Sequence, residues 1–193
     1  MSDALTINPA RSALLVMDFQ APILGLLKDP TPVLTATAAT IAAARKAGLP
    51  VIYIVVGFRP GHPEVNARNK MFSGIKSAGW LVTDSPGADI NAAVKPAVTD
   101  VVLLKHRVGA FSTTALQTIL KARDIDTLLL CGVSTSGVVL STTRDAADAD
   151  YRLFIVEDGC ADPEAEVHQL LMQKVFPRQA EVVRSEQVLA ALA

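Results

Sequence analysis

Two charged residues, Asp18 and Lys105, are the strongest catalytic candidates because each follows directly on a run of apolar residues, 13–17 and 101–104. Burial raises the pKa of a carboxyl group and a nearby cation lowers it, so such a carboxylate can be tuned as an acid or a base. The alternatives are structural. Asp18 could cap a loop or a helix, and Lys105 could extend its side chain outward to solvent. If both lie at the same edge of a sheet, each supplies the counter-charge of the other.

Further polar residues follow the other apolar runs and are candidates for binding a substrate. They are Gln20, Arg59, Ser134 and Thr135. The last two belong to a turn of small residues, 132–137, which could present backbone N–H groups to an anion. An ordinary tight turn with a Ser or Thr helix cap explains the same residues.

The histidines and cysteines do not form a recognisable metal or disulfide pattern. The three histidines, at positions 62, 106 and 168, lack metal-ligand spacing, so no metal site and no cofactor are predicted. Only His62, in a long loop with Arg59, is placed to meet a ligand. Cys131 and Cys160 form neither a zinc motif nor a disulfide framework, which favours a reduced, cytoplasmic setting.

The apolar runs themselves predict a sheet. They cover residues 13–17, 51–56, 101–104, 127–131, 153–156 and, more weakly, 181–183. The first five are continuous rather than alternating, which is typical of parallel strands covered by helices on both faces. Helices are predicted over 33–47, 112–122, 137–149 and 163–175, with a last one capped by Ser185. This alternation predicts an α/β fold with a six-stranded, mainly parallel sheet, whose ligands bind beyond the carboxyl ends of the strands.

One long segment, 57–99, interrupts the alternation and is rich in glycine and proline. Connections of this length are typically lids or binding loops. The 193 residues are predicted to form a single domain, 1–193. A net charge of −1, without charge blocks, argues against nucleic acid, and no apolar run is long enough to cross a membrane. The partners predicted are a small-molecule substrate and, because half of the residues are apolar, further copies of the chain in a homo-oligomer.

Four ordered motifs resemble the isochorismatase-like cysteine hydrolases over nearly the whole chain. They read ALLVMDFQ at 13–20, KHRVGAFSTTAL at 105–116, GVSTSGVVLSTTRDA at 132–146 and YRLFIVEDGCAD at 151–162. The resemblance implies a three-layer α/β/α, Rossmann-like sandwich and a single isochorismatase-like hydrolase domain. In amidase members of the family an Asp-Lys-Cys triad carries the reaction. Asp18 and Lys105 match its first two positions.

The third position of that triad is Val138, six residues after the glycine that ends the fourth strand. Valine offers no nucleophile, so the resemblance implies a member that lacks the catalytic cysteine and cannot form a thioester there. Cys131 lies seven residues upstream, within the predicted strand. Cys160 follows the fifth strand. Neither is expected to substitute.

Three functions stay open at this stage. Isochorismatases proper also lack the cysteine, and use the aspartate as a general acid to cleave a vinyl ether. That chemistry would need only Asp18 as the acid and Lys105 as its partner, with Gln20, Arg59, Ser134, Thr135 and Val138 around the substrate. The second possibility is an inactive relative that binds a small ligand or acts as a scaffold. The third is amide hydrolysis, with water or a serine in place of the thiol.

Overall fold

A six-stranded sheet forms the centre of the protein in the computed structural model, which describes residues 5–83, 85 and 88–193. Neighbouring strands are all parallel, in the order β3-β2-β1-β4-β5-β6. All six predicted strands are present, so the predicted α/β fold with a parallel six-stranded sheet is confirmed. The strands are β1 Ser12–Met17, β2 Val51–Val56, β3 Val101–Lys105, β4 Thr127–Val133, β5 Arg152–Ala161 and β6 Glu181–Val183.

Helices connect the strands and cover the sheet. They are α1 Ala21–Leu24, α2 Thr31–Lys46, α3 Lys70–Ala78, α4 Leu116–Ala122, α5 Leu140–Asp148, α6 Ala165–Leu170 and α7 Ser185–Ala191. A π-helical turn, Thr135–Val139, leads into α5, and a second one, Leu171–Val175, continues α6. None of the helices in the described part of the chain is long and apolar enough to cross a membrane.

Two apolar cores lie on opposite faces of the sheet, because successive strand residues point to opposite sides. On one face, residues of β1 and β4 such as Leu14 and Leu129 pack with α2 and α7. On the other face, their neighbours Leu15 and Leu130 pack with α4, α5 and α6. The layers are therefore helix, sheet and helix, and the predicted three-layer sandwich is confirmed.

The prediction that all five strong strands are covered on both faces is wrong for β3. Val102 and Leu104 are 48% and 41% exposed, whereas every residue of β1 and β4 is buried. The physical reason is position, since β3 is the edge strand beyond β2 and one of its faces carries no helix. A continuous apolar run does not distinguish an edge strand from a central one.

Two of the predicted helices begin later than the sequence pattern indicates. The helix predicted from residue 112 starts at Leu116, because Thr113 has a left-handed backbone (φ 65°) that an α-helix cannot include. The helix predicted from residue 163 starts at Ala165. The segment 57–99, predicted as a lid or binding loop, contains a helix, α3, with Asn69 as its N-cap and Gly79 as its C-cap.

Candidate active site

The site lies where the strand order of the sheet reverses. Strand order runs outward from β1 through β2 on one side and from β4 on the other, so β1 and β4 border the switch point of the fold. Chains leaving two such strands in opposite directions open a crevice at their carboxyl ends. Asp18 follows β1 there, and Ser134 follows β4.

Asp18 and Lys105 meet at this crevice, as the sequence predicts. Lys105 Nζ donates a hydrogen bond to Asp18 Oδ2 at 2.8 Å, and the two side chains are only 1% and 6% exposed. The strand order makes this contact possible, because β2 lies between β1 and β3 and the three parallel strands end at the same edge of the sheet.

The backbone of Asp18 has an unusual conformation. Its N–H donates to Ile54 O at 2.8 Å, while its φ of 63° lies in the left-handed region. Aspartate tolerates this region better than most residues do, but it costs free energy and is enriched at functional sites. The second carboxylate oxygen, Oδ1, is buried and accepts no hydrogen bond from any described residue. A buried acceptor without a donor is costly, so Asp18 Oδ1 is the atom most ready to bind a ligand.

Burial also sets the protonation of Asp18. Removal from water raises the pKa of its carboxyl group to about 6, because this effect exceeds the opposing attraction and hydrogen bond of Lys105. The group can therefore hold or release a proton near neutral pH, as a general acid or base must.

A cavity of about 140 Å³ opens beside this pair. It brings together four of the residues predicted for the site, namely Asp18, Lys105, Ser134 and Val138. Ser134 follows a cis peptide bond with Val133. Val138 is 2% exposed and lies in the π-helical turn that follows. No cysteine is found among the described residues of the cavity wall.

Three predicted site residues do not reach this wall. The Gln20 amide binds backbone instead, since Nε2 donates to Val56 O and Ala88 O while Oε1 accepts from Val56 N–H. Arg59 is 72% exposed and pairs with Glu64 at 2.8 Å. Thr135 is buried, and its hydroxyl lies 2.8 Å from His168 Nδ1. The structure therefore gives Gln20 and Thr135 positioning contacts and leaves Arg59 at the surface.

His62 and the two cysteines also lie away from the cavity. His62 is 2% exposed, and its Nε2 bonds Trp80 O at 2.7 Å, so it braces the segment 57–99. Burial raises the pKa of the Cys131 thiol well above its usual value and that of Cys160 to about 12. Neither thiol is activated. Over the residues that the structure describes, no group of three His, Cys, Asp or Glu side chains is arranged to hold a metal ion.

Most of the cavity wall is apolar and was missed by the sequence reading. It comes from α1 and the residues after it, from α3, and from the ends of the strands; the missed residues are Ile23, Leu26, Val56, Met71, Phe72, Ile75, Leu81, Val108, Val133 and Pro163. Spacing in α3 carried a usable signal, because Phe72 and Ile75 are three residues apart and share one face. The expected binding loop is thus partly a helix. Arg107, two residues after Lys105, also lies on the wall.

A doubly wound parallel sheet with a buried carboxylate–lysine pair at its switch point is typical of α/β proteins that bind small molecules there. The isochorismatase domain model matches residues 12–187, and the chain therefore belongs to the isochorismatase family. An uncharacterized isochorismatase family protein, YecD, of Escherichia coli O157:H7 is 32% identical over 97% of this chain and 100% of its own.

Relatives with assigned activities are more distant. Maleamate amidohydrolase of Pseudomonas putida is 27% identical over 80% of this chain and 72% of its own length. Among solved structures, a cysteine hydrolase from Pseudomonas syringae pv. phaseolicola has a TM-score of 0.87 and 25% identity, covering 100% of this chain and 98% of that one. Family membership and these relatives support a hydrolase that acts on a small substrate.

Proposed function

We propose that this protein hydrolyses the vinyl ether of a small substrate without a covalent intermediate, with Asp18 as the general acid and Lys105 as its positioning partner. The observation that carries the proposal is the buried Asp18 Oδ1, which has no hydrogen-bond partner in the described chain and lies on a carboxyl group of raised pKa. A protonated carboxyl of this kind is ready to donate to a substrate atom in the cavity.

The reaction needs one proton and one water. Asp18 donates its proton to the terminal carbon of the C=C–O group, which leaves an oxocarbenium ion at the carbon that carries oxygen. Water adds to that carbon and gives a proton back to the Asp18 carboxylate. The resulting hemiketal breaks its C–O bond to form a ketone and an alcohol. No atom of the protein is consumed, and no nucleophilic side chain is required.

Lys105 has two effects in this scheme. Its bond to Oδ2 fixes the carboxyl group so that Oδ1 faces away from the lysine. Its charge also keeps the pKa of Asp18 from rising further, because it stabilises the ionised form that remains after proton transfer.

Val138 supports a route without a covalent intermediate. It lies on the cavity wall near the pair, at the position that matches the cysteine of the amidase members by motif spacing. In this proposal the chain is a family member that has lost this cysteine. The valine methyl groups contribute apolar surface in place of a nucleophile.

Amide hydrolysis is the second candidate, because Ser134 lies on the same wall and two similar proteins are named maleamate amidohydrolase and ureidoacrylate amidohydrolase. No histidine lies on the described wall to accept a proton from that serine. The geometry therefore favours Asp18 over Ser134 as the reacting group.

The test compares Asp18→Asn and Ser134→Ala on two substrate sets, 2-ethoxyacrylate and isochorismate on one side and maleamate on the other. Pyruvate release from the vinyl ethers should fall by about 100-fold or more in Asp18→Asn and change little in Ser134→Ala. Asp148→Asn, an exposed aspartate at the end of α5, is the matched control. Exclusive turnover of the amide, lost in Ser134→Ala, would establish the second candidate instead. A folded protein that turns over neither set would contradict both enzymatic functions.

A further inference from the structure

We propose that Arg107 is the anion-binding residue of the cavity, and that the ligand it receives is a small monocarboxylate whose apolar part lies against the remaining wall. That this ligand is the substrate rests on the function proposed above. The binding itself does not.

The charges on the cavity wall do not balance. Among the residues that the structure describes, three charged side chains line it, namely Asp18, Lys105 and Arg107. Asp18 and Lys105 neutralise each other in a 2.8 Å pair. Within the described residues, Arg107 has no carboxylate within 4.0 Å. The wall therefore carries one cation in excess, and the excess grows when Asp18 is protonated.

Arg107 is held in place by hydrogen bonds that occupy only some of its N–H groups. Its Nη1 donates to His106 O at 2.5 Å and its Nη2 to Glu64 O at 3.2 Å, so two backbone carbonyls fix the guanidinium. The guanidinium also lies over the Phe72 ring at 5.8 Å from its centre. A guanidinium has five N–H groups in a planar fork, and donors therefore remain for a ligand. A planar fork matches the two oxygens of a carboxylate.

Arg59, an arginine that the sequence predicts near the substrate, does not have these properties. Its side chain is 72% exposed, and Glu64 already neutralises it. An exposed ion pair of this kind adds little to binding. Both arginines closely follow the end of a strand, β2 for Arg59 and β3 for Arg107, but only Arg107 lies on the cavity wall.

The size and lining of the cavity limit the rest of the ligand. Its volume of about 140 Å³ is close to the ~150 Å³ of an apolar protein cavity that binds one benzene molecule. Leu26 and Met71 are half exposed at its wall, so it opens to solvent. An apolar group of about the size of benzene, carrying one carboxylate, fits both the space and the charge.

The experiment measures binding, by calorimetry at pH 7.5, of benzoate and of benzamide, which share a shape and differ in charge. Wild-type protein should bind benzoate at least about tenfold more tightly, as expected for a charge-assisted hydrogen-bonded contact. Arg107→Gln should weaken benzoate binding about tenfold or more and change benzamide binding less than about twofold. Arg59→Gln is the matched control and should leave both unchanged.

Equal affinity of the wild-type protein for the two probes would overturn the proposal, as would unchanged benzoate binding in Arg107→Gln. The first comparison needs no variant, so it can overturn the proposal even if Arg107→Gln does not fold. The binding result is also independent of turnover. Benzoate bound through Arg107 in a protein that hydrolyses no vinyl ether would uphold the anion site and reject the proposed reaction.

Discussion

At the scale of single residues, the central property of the site is the pKa of the Asp18 carboxyl group, which burial raises and Lys105 lowers. Burial is the larger effect and raises the pKa of Asp18 to about 6, while Lys105 lowers it. In the described part of the cavity wall, the charged groups around Asp18 are Lys105 and Arg107, both cations. Asp18 is therefore protonated in a usable fraction at neutral pH only because water is excluded from it.

The pH dependence of activity distinguishes an acid from a base at this position. If Asp18 donates the proton, kcat/KM for 2-ethoxyacrylate is constant below pH 6 and falls about tenfold per pH unit above it. Replacing the lysine in Lys105→Met removes the group that lowers the pKa of Asp18, so the break should move to higher pH. A profile that rises through pH 6 would instead make Asp18 a base.

Thiol reactivity tests whether either cysteine takes part. Both thiols are buried, and their raised pKa values keep them protonated at neutral pH, so iodoacetamide should leave the native wild-type protein active and unlabelled. Val138→Cys places one thiol on the cavity wall, and mass spectrometry should then find a single labelled site there. Inactivation of the wild-type protein by labelling at Cys131 or Cys160 would contradict the mechanism.

The pairing of Asp18 with Lys105 could be predicted from the sequence because a parallel sheet brings the ends of its strands to one edge. That rule places Asp18, Lys105 and Ser134 together without any knowledge of side-chain rotamers. It does not say which way a side chain turns after the strand ends. Gln20 follows Asp18 by two residues yet turns to the backbone of β2, and Arg59 remains at the surface.

At the scale of elements, Gln20 joins β1 to β2 at the edge where the site lies. Its Oε1 accepts from the N–H of Val56, and its Nε2 donates to the carbonyl oxygens of Val56 and of the loop residue Ala88. Val56 is buried and lines the cavity, so this contact ties the wall of the site to the strand that carries Asp18.

Removing the Gln20 amide should therefore cost stability. Gln20→Ala leaves buried backbone groups without partners, and we expect the free energy of unfolding in urea to fall by about 2–3 kcal/mol. Gln117→Ala, on the exposed face of α4, is the matched control and should stay within about 0.5 kcal/mol of the wild type. An equal, small effect of both substitutions would show that the Gln20 contacts are dispensable.

The helix α3 shows why the wall of the site was harder to predict than its centre. Glycine and proline throughout 57–99 indicate an irregular connection, and Gly74 lies inside the helix itself. What stabilises α3 is its tertiary contact, since Phe72 is buried in a small cluster with Phe58 and Leu81. Local helix propensity carries no information about such tertiary contacts. The apolar residues of the cavity wall were therefore not predicted from the sequence and are identified only in the folded structure.

At the scale of the whole molecule, the sheet is buried on both faces at its centre and on one face at β3. The exposed Val102 and Leu104 of that edge are apolar surface that a second copy of the chain could cover, in line with the self-association that the apolar composition predicts. Homo-oligomerisation and a cytoplasmic setting both stay predictions.

The difference in burial between the central strand β4 and the edge strand β3 can be tested by measuring the stability of variants in each strand. Leu129 and Leu130 are adjacent in β4, are fully buried, and belong to the cores on opposite faces. Leu129→Ala and Leu130→Ala should each lower the free energy of unfolding by about 2–5 kcal/mol, because each opens a cavity that the packed layers cannot close. Leu104→Ala removes the same atoms from a side chain that is 41% exposed. At protein concentrations low enough for the chain to be monomeric, it should lower the free energy of unfolding by about 1 kcal/mol or less. Urea unfolding, with the oligomeric state followed by sedimentation, measures all three. A loss at Leu104 as large as at β4 would mean that the outer face of β3 is covered in solution, whereas a small loss at Leu129 or Leu130 would contradict the two-core packing.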